Sequence, residues 1–99
     1  MNKLKNINPG EVLKEEFLNE LGISDYRLAH DTGIPQTRIS EIIKGARRIT
    51  ADTALRLSRY FGNTPKFWLG LQDDFDLEEE QAAKETELNN IKHYSANAA

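Results

Sequence analysis

The chain has 99 residues, 38% of them hydrophobic and 29% charged, with no cysteine and a formal net charge of -3. That length predicts one domain with a core drawn from about two-thirds of the chain, and the lack of cysteine excludes disulfides, thiolate metal sites and a cysteine nucleophile. The polar opening MNKLKNINPG has no apolar signal-peptide stretch, and no run approaches the roughly 20 apolar residues that span a bilayer, so a soluble cytoplasmic protein with no membrane partner is expected.

In chain order, NPGEVLKEEFLNELG opens the helical pattern. Asn8 can cap, Pro9 suits the first helical position, and Glu11 follows three residues after the cap. Val12, Leu13, Phe17, Leu18 and Leu21 form one apolar stripe, and Gly22 ends it. SDYRLAHDTG is a second, short helix between Ser24 as cap and Gly33 as stop. QTRISEIIKG is a third, entered through Pro35 and stopped by Gly45. TADTALRLSRYFG is a fourth, with Thr50 as cap, Ala54, Leu55, Leu57 and Phe61 apolar, and Gly62 as stop. TPKFWLGLQDDF is a fifth, with Thr64 as cap and Pro65 at its first position. From Leu77 the acidic LEEEQAAKETELNNIKHY continues as a partly helical extension with a thin stripe of Leu77, Leu88 and Ile91, and SANAA is expected to fray. No segment alternates apolar and polar residues as a strand would. The expected fold is therefore all-α: a five-helix bundle over residues 1–76 and an acidic C-terminal extension over residues 77–99.

Charge is unevenly placed. Residues 24–60 carry seven Lys/Arg against four Asp/Glu, whereas residues 61–99 carry three lysines against eight acids. A basic middle and an acidic end imply two partners of opposite charge.

The middle carries the most specific pattern. Two short helices that cross steeply need a small residue where they approach, and Ala29 supplies it. They need a turn residue tolerant of a left-handed backbone, and Gly33 follows four residues later. Leu28, Ile34, Ile39 and Ile42 fill the inner positions. Together these six residues give a helix-turn-helix over about residues 25–44. At about 100° per residue, Ile39, Ile42 and Ile43 share one arc of the third helix. Gln36, Thr37, Ser40, Glu41 and Lys44 share the other, with Arg38 at its edge. An amide, two hydroxyls, a carboxylate and cations are the groups that read base edges in a major groove. Arg47 and Arg48, in the loop that follows, and Arg27 near the start of the second helix are expected with Arg38 and Lys44 to contact phosphates. Arg56 lies four residues after Asp52 and is expected to pair with it.

With these residues in view, Ser24 to Gly62 resembles the repressor-like, XRE-type class of helix-turn-helix domains, lambda-repressor-like in fold. NPGEVLKEEFL, GIPQTRISEIIKGARRITADTALRLSRYFG and TPKFWLGLQDDFDL are similar to the HigA antitoxins, also described as VapI-like, with Asn8 where His is common. The resemblance spans roughly residues 7–78. It implies a dimeric DNA-binding antitoxin that neutralises a ribosome-associated mRNA endonuclease and represses its own operon. It also implies that Gln36, Thr37, Ser40 and Glu41 face the bases. Glu41 departs from the amide often found there; its charge needs a cytosine amine or a pairing with Arg38.

Helix five has Phe67, Trp68, Leu69 and Leu71 nearly all round it, more than one short chain easily buries. Phe67, Trp68 and Leu71 are therefore candidates for a homodimer interface. A two-fold dimer sets two reading helices roughly 34 Å apart on a palindromic double-stranded operator. The acidic end suits a basic partner, such as a HigB-like toxin. The alternatives are a free-standing XRE-type repressor and a protein-interaction module that has lost DNA. His30 and His93 lack metal-ligand spacing and no catalytic or nucleotide-binding motif appears, so neither an enzyme nor a cofactor is expected.

Overall fold

Asn8 starts the first helix by accepting a 2.7 Å hydrogen bond from the Gly10 amide, in a computed structural model that describes residues 5–96. Helix α1 covers residues 9–21. Its two ends, Pro9–Val12 and Asn19–Leu21, are α-helical, but Leu13–Leu18 is wound more widely, and the Asn19 amide donates to the Lys14 carbonyl five residues back. In a regular helix Leu13 and Leu18 would point about 140° apart. The wider winding turns both inward, and both are buried. Leu21, expected in the same stripe, is left exposed.

Four further helices complete the bundle: α2 (Asp25–Thr32), α3 (Gln36–Ile43), α4 (Ala51–Phe61) and α5 (Pro65–Ala83). A short α6 (Glu85–Asn89) follows. Among the described residues there is no strand, and no helix is long and apolar enough to cross a membrane. Ser24 and Thr64 cap α2 and α5 as their positions predict, accepting from the amides of Arg27 and Phe67. Thr50 precedes α4 with an extended backbone but makes no side-chain cap.

The core joins all five helices: Leu13 and Leu18 of α1, Leu28 of α2, Ile39 and Ile42 of α3, Ala54 and Leu57 of α4, and Trp68 of α5. Ile34 and Ile49 add to it from the connections on either side of α3. Phe17 stacks obliquely on both Phe61 and Trp68, with ring centroids 4.9 and 4.8 Å away. The start of α1 presses so closely on the end of α3 that Gly10 has no room for a side chain. A methyl group there would collide with the Ile42 carbonyl and lie 2.8 Å from the Ile43 Cα.

Helix α5 runs without a break through the expected boundary at residue 76. Beyond it the stripe of Leu77, Leu88 and Ile91 is exposed rather than packed on the bundle. The fraying expected of SANAA concerns residues 95–99, of which 97–99 lie outside the described residues.

Candidate nucleic-acid interface

The turn between α2 and α3 is built from three local devices. Gly33 takes the left-handed conformation at φ 76°, which side chains other than glycine rarely adopt. The Thr32 hydroxyl donates to the Leu28 carbonyl at 2.6 Å and accepts from the Ile34 amide at 3.2 Å. Ile34 is buried, anchoring the turn to the core. Arg56 of α4 then donates to the Thr32 carbonyl at 2.9 Å, satisfying an acceptor at the end of α2. Its expected pair with Asp52 is formed at 3.1 Å.

Ile39 and Ile42 seat α3 in the core. On the other side Gln36 and Thr37 are exposed, and Ser40 and Glu41 are partly so. No side chain caps α3, which is entered through Pro35.

The structure sorts the five candidate phosphate-binding cations. Lys44 is exposed and forms no ion pair among the described residues. Arg27 pairs with Asp31 at 3.3 Å and keeps two-thirds of its side chain exposed. Arg38 lies against α4, donating to Asp52 at 2.8 Å and to the Thr53 hydroxyl at 3.5 Å. Arg47 donates to Glu41 at 2.9 Å, and Arg48 pairs with Asp76 of α5 at 2.8 Å. The pairing of Glu41 with Arg38 considered from sequence is therefore not made. Asp52, at the start of α4, draws Arg38 away, and Arg47 folds back to Glu41 instead.

Two exposed carboxylates beside this surface are held ionised. Hydrogen bonds from Arg38 and then Arg56 lower the Asp52 carboxyl below its ordinary value. Asp31 is lowered chiefly by the Tyr60 hydroxyl, 2.7 Å away, with His30 and Arg27 adding to it.

Helix α5 departs from its expected role at one position. Trp68 is completely buried within its own chain, and its Nε1 donates to Asn63 at 2.9 Å. Phe17 of α1 and Phe61 of α4 pack on its ring, so it is not available to a partner. Phe67 remains 39% exposed and Leu71 is partly exposed.

Sequence reading missed Gln72. It is 5% exposed, accepts from the Ile49 amide at 2.7 Å and donates to Asp76 at 2.9 Å. A signal was present: Gln72 stands four residues after Trp68, on the face where α5 must be apolar.

Residues 13–69 match the helix-turn-helix family. The chain is 44% identical over 85 residues to virulence-associated protein I of Dichelobacter nodosus, covering 86% of this chain and 79% of that protein. It is 40% identical over 75 residues to antitoxin HigA-1 of Vibrio cholerae, covering 76% of this chain and 70% of that one. This chain belongs to the helix-turn-helix family of HigA-type antitoxins. Its fold agrees: the solved structure of Pseudomonas aeruginosa antitoxin HigA with the higBA promoter superposes with a TM-score of 0.86 at 35% identity, covering 92% of this chain and 100% of that one. The match to the family takes in α2, the Gly33 turn, α3 and the basic loop, where all the candidate DNA-contacting side chains lie.

Proposed function

We propose that this protein is a sequence-specific DNA-binding antitoxin that works in the cytoplasm as a homodimer, represses its own operon and neutralises a toxin. The observation that carries this reading is the outward face of α3. Gln36 and Thr37 stand exposed at its uncapped end, Ser40 and Glu41 follow on the same side, and Lys44, Arg47 and Arg48 border it. Amide and hydroxyl groups there suit base edges in a major groove, and the flanking cations suit phosphates. Arg27 supplies a further cation from α2. That a relative is solved with its promoter supports DNA binding as the role. The role asks for binding and discrimination, and no catalytic step.

For the dimer, Phe67 and Leu71 are the apolar contacts at the start of α5 that remain at least partly exposed. For the toxin, the support is charge. Residues 61–99 carry eight acids against three lysines, and Leu77, Leu88 and Ile91 stand exposed among them. That combination suits a basic protein, and residues 77–99 form an extension to the DNA-binding region.

The direct test is binding of the purified protein to the promoter segment upstream of its own gene, beside a scrambled duplex of equal length. A clear preference for the promoter segment, with two-fold symmetric footprints, is expected. Equal binding to both duplexes would refute sequence-specific repression. Co-expression with the adjacent gene tests the antitoxin role; growth rescue is expected, and its failure leaves only a repressor.

A further inference from the structure

Among the described residues three polar side chains are buried: Thr53, Ser58 and Gln72. Gln72 is the one whose bonds lead out of the core toward the DNA-facing loop. Its Oε1 accepts from the Ile49 main-chain amide at 2.7 Å. Its Nε2 donates to Asp76 Oδ1 at 2.9 Å. The other carboxylate oxygen, Asp76 Oδ2, faces Arg48 Nη2 at 2.8 Å. One amide thus ties α5 to both the backbone of the loop and, through Asp76, the side chain of Arg48.

The first half of this arrangement is structural. Ile49 is itself buried, and an unpaired amide beside it would be costly. The second half is not needed for folding. Arg48 is 60% exposed, and an exposed ion pair adds little stability. What it does is hold a long, flexible side chain in one orientation. A guanidinium has five N–H donors, and the Asp76 contact engages one nitrogen and leaves the rest free. An arginine already fixed loses less freedom when it meets a phosphate.

We infer that Gln72 and Asp76 are positioning residues for phosphate contact: α5 presents Arg48, pre-oriented, at the edge of the reading helix. The inference rests on the DNA-binding reading given above and adds a role for two residues outside the helix-turn-helix.

The test uses the full-length protein and promoter DNA, with affinity measured across a salt series for the wild type, Q72M, D76N and R48A. Gln72→Met keeps the length of the side chain without its hydrogen bonds. Asp76→Asn keeps an acceptor for Gln72 but removes the charge that holds Arg48, and its partly exposed site leaves folding secure. R48A is expected to weaken binding and to lower the salt slope by about one, the loss of one phosphate contact; Q72M and D76N are expected to weaken binding with the slope kept, because Arg48 still makes the contact but from a less ordered start. In Q72M/R48A and D76N/R48A no further change is expected, because the contact is already lost. Wild-type affinity in D76N, or tighter binding with a steeper slope, would overturn the inference; the second result would mean that Asp76 withholds Arg48. Additive loss in the double variants would overturn it as well. Should Q72M not fold, D76N decides alone. Failure of the wild type to bind promoter DNA would instead remove the underlying DNA reading, and the inference with it.

Discussion

Arg47 Nε donates to the Glu41 carboxylate across 2.9 Å, closing the basic loop back onto the reading helix. Both partners remain about half exposed, so the pair is not a source of stability. Its consequence is electrostatic. A bare carboxylate on the α3 face would be repelled by a phosphate backbone, and Arg47 neutralises it where it stands. Removing Arg47 is therefore expected to weaken operator binding more than removing Arg48, because it also uncovers Glu41. E41Q should restore much of the loss in the R47A background. E41Q alone should relax preference at one base pair by about 1–3 kcal/mol, the value of a good polar base contact. Anisotropy titrations on operators changed one base pair at a time measure both effects.

Gly10 ties the entry of the chain to the reading helix. The Ile42 carbonyl occupies the space of its missing side chain. Gly10→Ala is expected to lower stability by about 1–3 kcal/mol, the usual range for overpacking, or more if the backbone cannot yield. The shift passes to the end of α3, so operator affinity should fall too. Thermal melting and binding on the same samples check this, and Gly70→Ala, where nothing lies within 4 Å, is the matched control.

Features fixed by local chemistry were legible in the sequence. Asn8, Ser24 and Thr64 cap the helices their positions predict, and Gly33 takes the left-handed turn. Ile39 and Ile42 face the core because the helical period alone requires it. What was hidden depends on how helices cross. The exposure of Leu21 and Leu55 and the full burial of Trp68 follow from which neighbour covers each face, not from the stripe. Arg38 turning to Asp52, and Glu41 to Arg47, are choices among several carboxylates and cations within reach. The place of Gln72 on the inner face was legible, but its partner was not, being a loop amide 23 residues earlier.

Trp68 is the only tryptophan in the chain and is wholly buried against Phe17, Phe61 and Phe67. Its fluorescence should be blue-shifted in the folded protein and red-shift in one step on unfolding. Trp68→Ala is expected to cost about 3–5 kcal/mol. Phe67→Ala, on a half-covered ring, should cost less stability and act chiefly on self-association. Denaturant melts and analytical ultracentrifugation separate the two.

Acid should loosen the contacts behind the reading helix. Asp31 and Asp52 both have carboxyls depressed below the ordinary 3.8. Their folded forms hold protons less readily than the unfolded chain, so their contribution is complete above about pH 4 and fades as pH falls through the depressed values. Asp52→Asn should flatten that acid-side loss. Tyr60 behaves oppositely, its hydroxyl raised above the ordinary 10.0 by its bond to Asp31. Its contribution is present below about pH 10 and is lost as pH rises through the raised value. Carboxyl titration by NMR in wild type and Y60F should show Asp31 moving back up toward its ordinary value.

The exposed start of α3 is proposed to read bases. The measurement that tests it most directly is operator affinity for wild type and the Gln36→Ala and Thr37→Ala variants, against the promoter segment and its single-base changes. Each substitution is expected to cost about 1–3 kcal/mol and to relax preference at its own position, while the salt slope stays unchanged. Wild-type affinity and unchanged base preference in both variants would mean that the start of α3 does not read bases.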